Sequence, residues 1–221
     1  NKKSNEVTLV STREYIFVSK NSGNDNNNGL SRDAPVNTIK KALQLANGCK
    51  SILILDGEYS EGNLEIGYDL LIKGENNPIL CNTTSFVVNN NQLTLKNLNI
   101  ANTATNEFIH QNIGNLNIEN CVFNNNYAVN LLNVNNVEIS KSIFINNNAC
   151  LVYNNAFVLI KNSILLNNSK IVDGDVENIN LDYNWWGNTL NDLSKPLDLN
   201  INNWLVLNVS SDADHLEQSK S

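Results

Sequence analysis

From residue 93 onward, apolar and polar residues alternate in short bursts, LTLKNLNI, LNIENCVF and VEISKSIF, and asparagines follow each one. Alternation of period two belongs to strands with one buried side, whereas helices bring apolar residues round every three or four positions. The bursts recur every twenty-one residues. Leu116, Val137, Val158 and Ile179 form one column, and Ile118, Ile139, Ile160 and Leu181 a second. Phe123, Phe144, Leu165 and Trp186 form a third, and Asn125, Asn146, Asn167 and Asn188 a fourth. After a two-residue insertion the register runs back to Leu93, Leu95, Ile100 and Asn102.

Glycine and proline are nearly absent between copies, which argues against the tight turns of hairpins. A strand that recurs without hairpins or intervening helices is satisfied by coiling, so that equivalent strands lie parallel about 4.8 Å apart. The pattern therefore predicts a parallel β-helix of about seven coils. A single coil cannot offset its ordering cost, roughly 1 kcal/mol or more per residue, with the few side chains it buries, so stability must come from stacking.

The ends depart from the repeat, as exposed ends must. TIKKALQLANG at 38–48 predicts a short helix with Ile39, Ala42, Leu43 and Ala46 inward, Asn37 or Thr38 as N-cap and Gly48 as the stop. It is placed to plug the N-terminal end of the stack. Strands are expected near 15–18, 52–55, 64–66 and 70–72. The predicted organisation is an N-terminal extension (1–14), a β-helix domain (15–210) and a tail (211–221). Within the domain, 15–50 form the N-terminal cap and 183–210 the C-terminal cap.

Asparagine fills roughly one position in five. It tolerates left-handed backbone angles better than other residues with a side chain, which suits the corners of a coil. Its amide can also join one coil to the next. Asn102, Asn125, Asn146, Asn167 and Asn188 are therefore expected as a structural ladder, and Asn112, Asn133, Asn154 and Asp175 as a second. The net charge is −7 with only two arginines, Arg13 and Arg32, which excludes a phosphate-binding surface and makes nucleic acid an unsuitable partner. No apolar run is long enough to span a bilayer. The absence of methionine and of a signal-peptide core suggests a piece of a longer protein. The four cysteines lack metal-site spacing and fall on different turns, so free buried thiols are expected. Sequons at Asn82, Asn167 and Asn208 permit N-glycosylation in a secreted setting, although chance matches are expected in so asparagine-rich a chain.

YIFVSKNSGNDNNNGLSRDAPVNTIKKALQLA resembles the opening of right-handed β-helix proteins of the pectin-lyase-like superfamily, where a strand, a loop and a capping helix precede the coils. ILDGEYSEGNLEI, the NCVFNNN units and YNWWGN are similar to adhesin-like surface proteins of methanogenic archaea. The resemblance spans about residues 15–210. It implies an all-β, single-stranded right-handed parallel β-helix with a short N-terminal capping helix, an extracellular cell-surface location and a role in attachment. It carries over no catalytic residue and no cofactor. The expected partner is a host or partner cell-surface glycan or protein, met by a monomeric module of a larger surface protein.

The same fold serves polysaccharide lyases and glycosidases, so an enzyme is the rival reading. A lyase wants calcium-binding acids beside a basic residue, but Lys141 and Lys161 are expected outward among mainly neutral neighbours. A glycosidase wants two carboxylates facing one groove. The dense acids Asp173, Asp175, Glu177 and Asp182 read more simply as a solvated turn, with Asp173 and Asp175 as weak metal candidates at most. NDNNNG at 24–29 imitates the start of a calcium loop but lacks its closing acid, and reads as shaping the cap. Val122, Ile143, Ile164 and Trp185 are the candidate binding stripe, which strict alternation places outward. They either meet a ligand or lie beneath a loop. Tyr127, Tyr153 and Tyr183 are further aromatic candidates. A rigid surface spacer is the third reading.

Overall fold

The structure is a computed structural model. It describes residues 14–48, 51–101, 108–126, 129–132, 134–154, 156–174, 178–187, 201 and 203–205, without the side chains of 129–132, 151–154 and 172–174. It is a β-solenoid in which every strand pair is parallel among the described residues. Among the described residues it has one short helix, α1 (Ile39–Ala46), near the N-terminus.

Three faces wind round the core. The first stacks β1 (Tyr15–Ser19), β2 (Ser51–Asp56), β5 (Leu70–Gly74), the ends of β7 (Ser85–Lys96) and β9 (Ile109–Glu119), then β12 (Asn136–Ser140), β15 (Phe157–Lys161) and β18 (Ile179–Asn180). The second is a six-stranded sheet of β3 (Glu58–Tyr59), β6 (Ile79–Cys81), β8 (Asn99–Ala101), β10 (Val122–Asn124), β13 (Ile143–Ile145) and β16 (Ile164–Leu166). Among the described residues these six stacked strands enclose about five full turns, where about seven coils are expected. The third stacks β4 (Asn63–Ile66), the starts of β7 and β9, β11 (Val129–Leu132), β14 (Ala149–Asn154) and β17 (Lys170–Gly174).

The apolar columns become the core. Ile16, Ile52, Ile72, Leu95, Ile118, Ile139 and Ile160 stand in register, all buried. Leu80, Ile100, Phe123, Phe144 and Leu165 do the same on the second face. The Phe123 and Phe144 rings lie parallel with centroids 4.6 Å apart, and Phe108 meets Phe123 edge-on at 5.9 Å. Burying each such side chain contributes about 1.5–3 kcal/mol.

The helix lies as expected, with Thr38 as N-cap, Asn47 left-handed at the C-cap and Ile39, Ala42, Leu43 and Ala46 buried. The NDNNNG loop does shape this cap. Asp25 accepts hydrogen bonds from the Asn37 and Thr38 amides and the Thr38 hydroxyl, while Glu61 accepts from the Ile39 and Lys40 amides. Two carboxylates thus occupy the amide groups that a helix start leaves open.

Two corners explain the asparagines and correct the predicted ladder. Asn125, Asn146 and Asn167 are left-handed (φ 57, 56 and 52°) but exposed, so they shape the corner and do not fill it. The inward amides lie one residue later. Asn147 Oδ1 accepts from the Asn126 amide at 2.9 Å, and Asn168 Oδ1 accepts from the Asn147 amide at 3.0 Å. Their Nδ2 groups donate to carbonyls one winding back: Asn126 to Ile100, Asn147 to Phe123 and Asn168 to Phe144. The left-handed residue reverses the chain direction, which turns its own side chain outward and its successor's inward. Asn102 and Asn188 lie outside the described residues.

At the next corner the left-handed position passes from Asn97 to Asn120, Lys141, Asn162 and Tyr183. Inside it, Ser142 Oγ accepts from the Cys121 amide, Ser163 Oγ from Ser142, and Asn184 Oδ1 from Ser163. The second predicted column breaks as well: Asn112 pairs with Leu132, which pairs with Asn154, so Leu132 takes the place expected of Asn133. Asn133 and Asp175 lie outside the described residues.

β7 and β9 each run through the crease between the third and first faces. Asn90 (φ 56°) and the pair Ile113 (φ 61°) and Gly114 (φ 94°) make the bend. A Cβ on Gly114 would stand 2.1 Å from the Asn91 carbonyl oxygen, so only glycine fits. Buried Gln111 stands in line with Ile66 and Val88 and donates to the Asn91 and Asn115 carbonyls across the crease.

Candidate functional site

The outer side of the first face carries the most chemically varied surface. Three outward columns run along it. Gln92, Asn115, Asn136 and Phe157 form one; Thr94, Asn117, Glu138, Leu159 and Asn180 the next; Lys96, Glu119, Ser140 and Lys161 the third. A strand exposes alternate residues, and stacking aligns them.

Two open depressions meet at Glu138. One, of about 590 Å3, is bordered by Lys96, Glu119, Glu138, Lys141 and Lys161, with Thr94 and Asn117 on its floor. The other, of about 570 Å3, is lined by Asn136, Glu138, Phe157, Leu159, Asn178 and Asn180. In the first, Lys141 and Lys161 do not stand among neutral neighbours as expected. Glu119 accepts from Lys96 at 2.7 Å and Lys141 at 3.0 Å, and Glu138 from Lys161 at 2.7 Å. The sequence hid these pairs because the partners lie one coil apart, twenty-two or twenty-three residues along the chain. Hydrogen bonds from Lys96 and Lys141 hold the Glu119 carboxyl down to about 2. A general acid needs its carboxyl raised toward the working pH, so Glu119 is tuned the opposite way.

The second depression holds a residue that sequence reasoning did not single out. The Phe157 side chain is 63% exposed. It stands where the register elsewhere puts a polar residue, and Asn136 donates to Asn115 at 3.3 Å in that column. The signal was in the alignment of copies: Gln92, Asn115, Asn136 and Asn178 share this offset, and Phe157 interrupts them. Leu159 interrupts the neighbouring column beside it.

The predicted stripe is a real column. Val122, Ile143, Ile164 and Trp185 pair in succession on the second face, each half-buried, with Ile145 and Leu166 in the adjacent outward column. Gly187 packs on Leu166, where a Cβ would come within 2.2 Å of Leu166 Cδ1. Of the other aromatics, Tyr183 is exposed at a left-handed corner, while Tyr127 and the Tyr153 side chain lie outside the description.

The Asp173 side chain, Asp175 and Glu177 also lie outside it, so the weak metal candidates have no described geometry. Asp182 accepts hydrogen bonds from the amide and side chain of Asn203. Among the described residues no three His, Cys, Asp or Glu side chains gather as a metal would need. Of the sequons, Asn82 and Asn167 are exposed, but the Thr84 hydroxyl is buried against the Tyr59 carbonyl; Asn208 lies outside the described residues. Cys81, Cys121 and Cys150 are free and buried, as expected, and Cys49 is not described.

No curated protein and no solved structure was found to match the chain. Residues 21–203 match the family model described as a protein of unknown function, DUF1565. A match over so much of the chain places it in that family: the protein is a DUF1565 member built as a parallel β-solenoid.

Proposed function

We propose that this chain is a non-catalytic β-helix module of an extracellular surface protein, attaching to a glycan through the outer side of its first face. The observation that carries the reading is Phe157, an exposed ring in an otherwise polar column with Leu159 beside it. A sugar ring presents an apolar face of C–H groups and a rim of hydroxyls. Phe157 supplies the matching plane, and Asn136, Asn178 and Asn180 supply donors and acceptors around it. A repeat keeps its structural positions constant, so the residue that breaks a column at the surface is the one a spacer has no use for.

Attachment is favoured over hydrolysis because the carboxylates of this face are tied to lysines, Glu119 to Lys96 and Lys141, and Glu138 to Lys161. The archaeal adhesin resemblance points the same way, to a cell-surface glycan or protein as partner. The test is binding to a glycan array and to intact cells by the protein and its Phe157→Ser variant. Saturable attachment that falls about tenfold or more in the variant is expected, since the ring supplies the main apolar contact. Attachment indifferent to Phe157, or none at all, would overturn the site. Sustained product release from pectin or related polymers would overturn the non-catalytic reading.

A further inference from the structure

A second surface stands apart from the Phe157 face, at the corner between the second and third faces. Asn125, Asn146 and Asn167 repeat there with nearly the same left-handed backbone, φ 57, 56 and 52°. The strands that precede them pair without a slip, Asn124 with Ile145 and Ile145 with Leu166, so the three side chains emerge in file about 4.8 Å apart. They border a groove of about 300 Å3, lined also by Asn126, Asn147, Asn148 and Ser169, with no charged side chain among these described residues.

The inward amides form its rigid floor, since Asn147 bonds to both Asn126 and Asn168. Among the described residues the outer amides of Asn146 and Asn167 make no hydrogen bond within the protein. Each therefore offers two N–H donors and a carbonyl acceptor to a visitor.

We infer that this corner is a binding site for a neutral, extended, β-linked polysaccharide, with one sugar unit per winding. Such a chain advances along its axis by nearly the rise of one winding. Successive units are turned over, so ring hydroxyls and the hydroxymethyl edge alternate along the file, and an amide, with two donors and an acceptor, can serve either. A neutral ligand follows from the uncharged lining, because a carboxylate or sulfate would find no cation among the described lining residues to replace its water. Repetition converts weak contacts into useful affinity, as each added unit binds beside one already held. The surface is separate from the Phe157 face and does not depend on it.

The experiment titrates the labelled protein with cellohexaose and chitohexaose, and with the matching disaccharides, reading side-chain amide signals by NMR. Expected are shifts at Asn146 and Asn167, and an affinity for one hexasaccharide at least about tenfold above its disaccharide, as additional amide contacts predict. Asn146→Gly with Asn167→Gly removes both amides but keeps a residue at home in left-handed backbone. That variant should unfold at nearly the same temperature yet lose about tenfold or more in affinity. The Phe157→Ser variant should retain corner binding, which separates failure here from failure of the first site. No shift at either amide with either hexasaccharide, equal affinity for short and long chains, or full affinity in the double variant overturns the inference.

Discussion

Replacing Asn147 by alanine tests whether the inward amides hold adjacent windings together. Asn147 is 2% exposed. Its Oδ1 accepts from the Asn126 amide at 2.9 Å, and its Nδ2 donates to the Phe123 carbonyl at 3.0 Å and to Asn168 Oδ1 at 2.8 Å. Alanine strips the side-chain partner from two buried backbone groups of the preceding winding, the Asn126 amide and the Phe123 carbonyl. Each such loss costs about 1–3 kcal/mol, so the substitution should destabilise by about 2–6 kcal/mol. The adjacent Asn146→Ala removes no buried partner and costs only the left-handed backbone penalty, about 1–2 kcal/mol. Asn146→Gly should be nearly neutral, because glycine accepts the same backbone. Urea unfolding followed by circular dichroism ranks the three variants, and hydrogen exchange at the Asn126 amide reads the broken link directly. If Asn147→Ala is no more damaging than Asn146→Ala, or the Asn126 amide keeps its protection, the inward ladder does not hold the windings together.

Three further outcomes are expected. Ile113 is β-branched, 41% exposed and left-handed at φ 61°, so Ile113→Asn should raise stability by about 1 kcal/mol in urea unfolding; a loss would mean that the side chain packs usefully. Glu119 is held from the ordinary 4.5 down to about 2, so its contribution is present above the ordinary carboxyl range and is lost as pH falls toward 2. Melting temperature should therefore fall less steeply between pH 5 and about pH 2 in Glu119→Gln than in the parent, and identical slopes would refute the linkage. Burial pushes the Cys121 thiol up to about 12 and raises that of Cys150 as well, so mass-mapped alkylation at neutral pH should spare both until the chain unfolds; rapid native labelling of either would contradict their burial.

The winding was legible because its causes are local and repeated. A twenty-one-residue interval puts Phe123 beside Phe144 in any chain that coils, and the structure pairs them directly. The capping helix was legible because Thr38, Asn47 and the apolar face of 39–46 act within a few residues of one another. The corner was read one residue out of place. A row of three asparagines, such as 146–148, does not reveal which member takes the left-handed angle and which turns inward; only the corner geometry decides. The Lys141–Glu119 and Lys161–Glu138 pairs were hidden for a related reason, as neither has a local sequence signature and both depend on the exact offset between windings. Phe157 was visible in the aligned copies, but an apolar residue among apolar residues attracts no notice until its direction is known.

The corner that carries Asn97, Asn120, Lys141, Asn162 and Tyr183 keeps one backbone geometry under three kinds of side chain: amide, ammonium and phenol. The fold fixes the path there and leaves the outward group unspecified, while the serines and asparagine just inside maintain the joint. Such a position behaves like a row of identical sockets. New recognition groups can be installed winding by winding along one edge, with their spacing already set by the stack and the interior undisturbed.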